Sequence, residues 1–118
     1  MIVTLMLCFE AEAKDGFVSY GWGIKSCGVW TKDQAERLSI GADGNMPSKF
    51  GSNIAPQTQW VVGFISAFNY YKGATADVTN GTDMNGVFAW IDNYCAAHPL
   101  DPIAKATMAL IDELSQRQ

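Results

Sequence analysis

At 118 residues the chain has room for one small domain, whose limited core would gain from a covalent staple. The net charge of −4 comes without a basic cluster, which excludes the electrostatic footprint of a nucleic-acid binder. No apolar run approaches the roughly 20 residues of a spanning helix, and four Trp, four Tyr and six Phe point to a packed fold.

The opening segment, MIVTLMLCFEAEAKDG, is apolar from Ile2 to Phe9 and reaches Ala11-Glu12-Ala13 before Lys14-Asp15. A short apolar stretch followed by A-x-A resembles the second half of a secretory signal peptide cleaved after Ala13. Residues 1–13 are therefore expected to be a leader and 14–118 a single helical domain. No Lys or Arg precedes the apolar run, so a buried N-terminal strand or helix is the alternative. A lipid anchor at Cys8 fits less well, because Leu7 is bulkier than the small residue such sites need. Without the leader two cysteines remain, Cys27 and Cys95, and the net charge is −2 from eight basic and ten acidic residues. An exported chain with an even cysteine number predicts a disulfide in an oxidising, periplasmic or secreted setting.

GFVSYGWGIKSCG (16–28) mixes glycines with aromatics and lacks a helical period, predicting an irregular arm. Thr31-Lys32-Asp33-Gln34 has the form of a capping box, predicting a short helix from about Thr31 to Leu38. The Gly-, Ser-, Asn- and Pro-rich stretch 39–56 reads as a long surface loop. From Pro56, a residue suited to the first helical position, Trp60, Val61, Phe64, Ile65, Phe68 and Tyr71 recur at helical spacing up to Gly73. Gly63, Ser66 and Ala67 lie on the other side, where small residues would let a neighbouring helix come close. Ala74–Gly81 reads as a second polar loop.

Thr82-Asp83 suits the cap of a third helix over about 83–97. On a wheel of about 100° per residue its inner face gathers Met84, Val87, Phe88, Ile91, Tyr94, Cys95 and His98, and Pro99 stops it. Asp101-Pro102 reads as a cap with proline in the first turn of a last helix to about Gln116. Ile103, Thr107, Leu110, Ile111 and Leu114 form the inner stripe of that helix. The expected fold class is all-α, a small bundle of about four helices with one disulfide.

AWIDNYCAAHPL (89–100) sets Asp92, Cys95 and His98 close together. Zinc needs about four ligands, commonly in paired motifs, and the chain has a single His. A cysteine nucleophile needs an accessible thiolate with an oriented base, whereas Cys95 falls within an apolar face. A Cys27–Cys95 disulfide fits the leader and the even cysteine number, and closes a long loop. Asp92 then lies away from the apolar face, solvated, and His98 favours the helix C-terminus as a cation. With no nucleophile motif, phosphate loop or metal set, the sequence predicts no enzyme and calls for no cofactor. Tyr70, Tyr71 and Trp90 are the candidate partner-contact residues. Asn80-Gly81-Thr82 matches the N-glycosylation triplet, a weak signal in any sequence.

Ser26-Cys27-Gly28-Val29-Trp30-Thr31, then Trp60-Val61-Val62-Gly63-Phe64-Ile65, then Trp90-Ile91-Asp92-Asn93-Tyr94-Cys95 with Pro99, resembles the HdeA/HdeB-like family of small exported helical bacterial proteins. The resemblance covers most of residues 26–115. It implies a periplasmic helical domain with one disulfide and an acid-stress chaperone that is a homodimer at neutral pH and binds client proteins in acid. In strong acid the mature chain would carry about +9, from its Lys and Arg residues plus His98. A second expectation belongs to another class: an immunity or inhibitor protein that neutralises a cell-wall hydrolase or toxin, with loop 39–55 or 73–82 as its working surface. Both expectations make the chain a protein-binding domain with no membrane insertion in its mature form and no nucleic-acid partner.

Overall fold

The computed structural model describes residues 17–38 and 53–118. The leader expected over 1–13 and most of the loop expected over 39–56 lie outside the described residues. Four α-helices are present among them: α1 (Cys27–Leu38), α2 (Ile54–Lys72), α3 (Met84–Ala97) and α4 (Ile103–Gln116), preceded by a 3-10 turn at Gly21–Ile24. The all-α expectation holds.

The helices close on one core. Trp30 of α1, Val61 of α2, Ile91 of α3 and Ile103, Leu110 and Ile111 of α4 are buried there. Each comes from the apolar stripe of its helix, which is what drives the four together. The predicted inner stripe of α4 is buried throughout. In α3 the stripe narrows: Val87, Ile91 and Cys95 are buried, whereas Met84 and His98 at its two ends are exposed.

The Cys27–Cys95 disulfide sits inside this core, with both residues fully buried and their Cα atoms 4.6 Å apart. Cys27 is the first residue of α1, so the bridge joins two helices rather than an irregular arm to a helix. It spans 68 residues of sequence, a length for which the chain-entropy model gives about 4 kcal/mol of stabilisation.

α1 starts four residues before the predicted capping box because a different residue caps it. Ser26 Oγ accepts the Val29 N–H at 3.4 Å, in the manner of an N-cap hydroxyl serving the third helical residue. The next free amides are satisfied from the far end of the chain: Cys27 N–H donates to the Asp101 carbonyl (2.7 Å) and Gly28 N–H to the Pro99 carbonyl (2.9 Å). Ile103 N–H donates back to the Lys25 carbonyl at 2.8 Å. These exchanges lock the start of α1 to the α3–α4 corner beside the disulfide. In that corner Pro102 occupies the cap position of α4, and the Asp101 side chain makes no cap bond. Asp83 caps α3 as expected, accepting the Gly86 N–H at 2.8 Å.

The arm before α1 is held against α2 by aromatic contacts. Trp60 Nε1–H donates to the Tyr20 carbonyl at 2.8 Å, and its indole lies against Gly23 so closely that a Cβ there would overlap the ring. Phe17 completes the contact by packing on Phe64 at 5.3 Å between ring centroids.

Candidate functional site

The Asp92, Cys95 and His98 cluster does not form a reactive centre. Cys95 is bonded to Cys27. His98 caps the end of α3 and is exposed, with Nδ1 donating to the Tyr94 carbonyl at 2.9 Å. Among the described residues no three His, Cys, Asp or Glu side chains come together as a metal set.

Asp92 corrects the expectation of a solvated side chain. It accepts Trp30 Nε1–H at 2.8 Å and binds Arg37 NH2 through both carboxylate oxygens, at 2.7 and 2.6 Å. The two charged side chains are only 17% and 16% exposed. The network continues inward: Arg37 Nε–H donates to Gln34 Oε1, Gln34 Nε2–H to Gln57 Oε1, and Gln57 Nε2–H to Asp33 Oδ2. Asn53 Nδ2–H donates to the same Asp33 oxygen. α1, α2 and α3 are thereby tied by polar groups that satisfy one another, and Arg37 also lies over the Phe88 ring at 5.6 Å. Gln34 and Gln57 are almost wholly buried, although their type suggests surface residues. No local pattern marks them, because the bonds that bury them, Gln34 to Gln57 and Gln57 to Asp33, join residues 23 and 24 apart in sequence.

The unusual surface belongs to α2. One charged residue, Lys72, occurs in its 19 residues. Its outer side, Gln59, Gly63, Ser66, Ala67 and Tyr70, is exposed, and so is Tyr71, which helical spacing groups with the inner stripe but which lies at the helix end. The small residues expected to admit a neighbouring helix face none among the described residues: a Cβ built on Gly63 meets nothing there within 4 Å. The Ser66 hydroxyl donates back to the Val62 carbonyl at 2.8 Å, which spends its proton inside the helix. Tyr70 and Tyr71 are 77% and 85% exposed and pack edge to face on each other, ring centroids 5.0 Å apart. A shallow basin flanks each end of this face. One of about 360 Å³ lies between the arm (Val18, Tyr20) and Trp60, Gly63 and Phe64. The other, about 550 Å³, is lined by Ser66, Asn69, Tyr70, Gly73 and Thr75.

The segment after α2 is firmer than a polar loop. Val78 and Thr79 are buried, Asn69 Oδ1 accepts the Val78 N–H at 2.8 Å, and Gln118 Nε2–H reaches the Val78 carbonyl at 2.7 Å. The Thr79 hydroxyl, donating to Asp77 at 2.7 Å, and the backbone N–H groups of Thr79, Gly81 and Asn80 hold that carboxyl below the usual carboxylate range, against the opposing effect of desolvation.

Trp90, the third candidate contact residue, is partly buried and heads a ladder on the flank of α3. Its ring stacks on Tyr94 (5.6 Å) and Tyr94 on His98 (4.2 Å). Tyr94 O–H donates to Asp101 Oδ2 at 2.7 Å. Desolvation first, then the bond to Asp101 and its charge, push the phenol up to about 12. The rings stack on one another, which leaves Trp90 less free than the Tyr70–Tyr71 pair. The structure thus separates the three candidates: the tyrosines share one exposed corner, and Trp90 sits on another helix.

No family model matches the chain, and no curated protein or solved structure is detectably similar to it.

Proposed function

We propose that the protein is a non-enzymatic protein-binding domain that works at neutral pH through the uncharged outer face of α2. The observation that carries this reading is the Tyr70–Tyr71 pair, exposed on a helix face with no charge before Lys72. Tyrosine-rich, charge-depleted surface is what interface centres are made of, because an aromatic ring supplies large contact area at little cost in side-chain entropy. The scaffold beneath is stapled and cross-bonded, so this surface needs no ordering on binding, which suits an inhibitor or immunity protein that plugs a partner enzyme. The test uses the protein and a Tyr70→Ser/Tyr71→Ser variant as bait at neutral pH with the exported fraction of the cells that make it. A defined stoichiometric partner kept by the first and lost by the second is expected. Equal retention by both, or no partner, would overturn the reading.

A second reading, an acid-stress chaperone, is favoured by the Arg37–Asp92 pair. Self-repulsion at the net positive charge expected in strong acid would strain the bundle, and this largely enclosed pair is the charged contact that ties α1 to α3. Under this reading the protein loses its native fold in strong acid and suppresses aggregation of a model client there. A chain that stays folded, or unfolds without protecting the client, removes it.

A further inference from the structure

The dipeptide Asn-Gly occurs twice within seven residues, at Asn80-Gly81 and Asn85-Gly86, in two different settings. We propose that Asn80 is a site of spontaneous deamidation in the folded protein and that Asn85 is protected. In this reaction the Gly81 amide nitrogen attacks Asn80 Cγ, forming an N–Cγ bond as the Cγ–Nδ2 bond breaks. The attacking nitrogen gives up its proton to water, and the side-chain nitrogen takes a proton from water and leaves as ammonia. Water then opens the succinimide at one or other carbonyl, giving aspartate or isoaspartate. Glycine after asparagine favours the ring closure because no Cβ crowds the attacking nitrogen.

The two sites differ in what must give way first. Asn80 and Gly81 form an exposed turn at φ +48° and +84°, and a Cβ built on Gly81 meets nothing within 4 Å. Among the described residues nothing holds the Asn80 carboxamide. The left-handed turn has to open before the nitrogen can reach Cγ. Its main-chain restraints are Asn80 N–H to the Asp77 carbonyl (3.1 Å) and Thr82 N–H to the Thr79 carbonyl (2.9 Å), with the Asp77 carboxylate binding Thr79 and also drawing on the Asn80 and Gly81 N–H groups, which it must release as the turn opens. Asn85 lies in the first turn of α3, where the attacking Gly86 N–H is bound to Asp83 Oδ1 at 2.8 Å. Reaction there requires unwinding a capped helix, a larger opening than relaxing an exposed turn.

Deamidation would put a second negative charge in the turn that already holds the Asp77 carboxylate. The isoaspartyl product would also lengthen the backbone beside buried Val78 and Thr79, whose segment Gln118 clasps. This modification does not depend on the proposed binding function. The test is incubation of the purified protein at 37 °C and mildly alkaline pH, with peptide mapping by mass spectrometry and enzymatic detection of isoaspartate. The same chain held in urea serves as the control. We expect Asn80 to convert faster than Asn85 by roughly tenfold or more in the folded protein, a ratio within the spread of local-opening energies in one fold, and the two rates to converge in urea. Asp83→Ala should raise conversion at Asn85 and leave Asn80 unchanged. Equal rates in the folded protein, faster conversion at Asn85, or an inert Asn80 would each overturn the proposal.

Discussion

Asp92 shows how one side chain can be misread from its own neighbourhood. Its place on the helix wheel is off the apolar face, yet Trp30 and Arg37 reach it from α1 across 62 and 55 residues of sequence. Asp92→Asn should lower stability by about 2–3 kcal/mol in urea unfolding, since Arg37 loses its counter-charge in a largely enclosed site. A change below about 0.5 kcal/mol would show that the pair is solvated in practice. Tyr94 makes a pH-dependent contribution of known sign. Its folded value is raised to about 12 from an ordinary 10.0, so the folded state holds the phenol proton more tightly. That contribution is full below about pH 10 and is lost as pH rises towards 12. Tyr94→Phe should therefore flatten the fall in stability over that alkaline window, read from unfolding midpoints, and an unchanged pH slope would contradict it.

At the scale of elements, the arm depends on Trp60 meeting Gly23. Gly23→Ala should release the arm from α2, shifting Trp60 emission towards that of a hydrated indole and leaving the four-helix core folded. Unchanged emission would show that the arm is held elsewhere. The ends of α3 and α4 were legible because their punctuation is local: Asp83 before the third helix, Pro99 after it, and an unbroken apolar stripe in the fourth. The start of α1 was hidden. Ser26 caps it without a Glu or Gln three residues on, and the carbonyls that complete the cap come from Asp101 and Pro99, more than 70 residues away. The exposed side of α2 was visible as a run of small residues, but pattern alone could not tell a helix-packing groove from bare surface. The Tyr70–Tyr71 corner was legible as a candidate, and its isolation from Trp90 became apparent only once α2 and α3 were placed.

For the whole molecule, the disulfide is the feature the sequence revealed most directly, because of the three cysteines only Cys27 and Cys95 lie outside the expected leader and Cys95 falls on an apolar face. Reducing it, or replacing both with Cys27→Ser/Cys95→Ser, should cost about 4 kcal/mol, read as a lower urea midpoint. An unchanged midpoint would mean that the helices hold together unaided. Beneath the functional proposal lies a division of labour: the staple and the Asp92–Arg37 network build the fold, and the outer face of α2, uncovered among the described residues, is the surface proposed for a partner. The most direct measurement compares urea unfolding of the Tyr70→Ser/Tyr71→Ser variant with that of the unaltered protein at neutral pH. If the two rings serve a partner, stability should match within about 0.5 kcal/mol, as for surface substitutions without structural duty. A loss of about 2 kcal/mol or more would contradict this, because the rings would then be holding the bundle together.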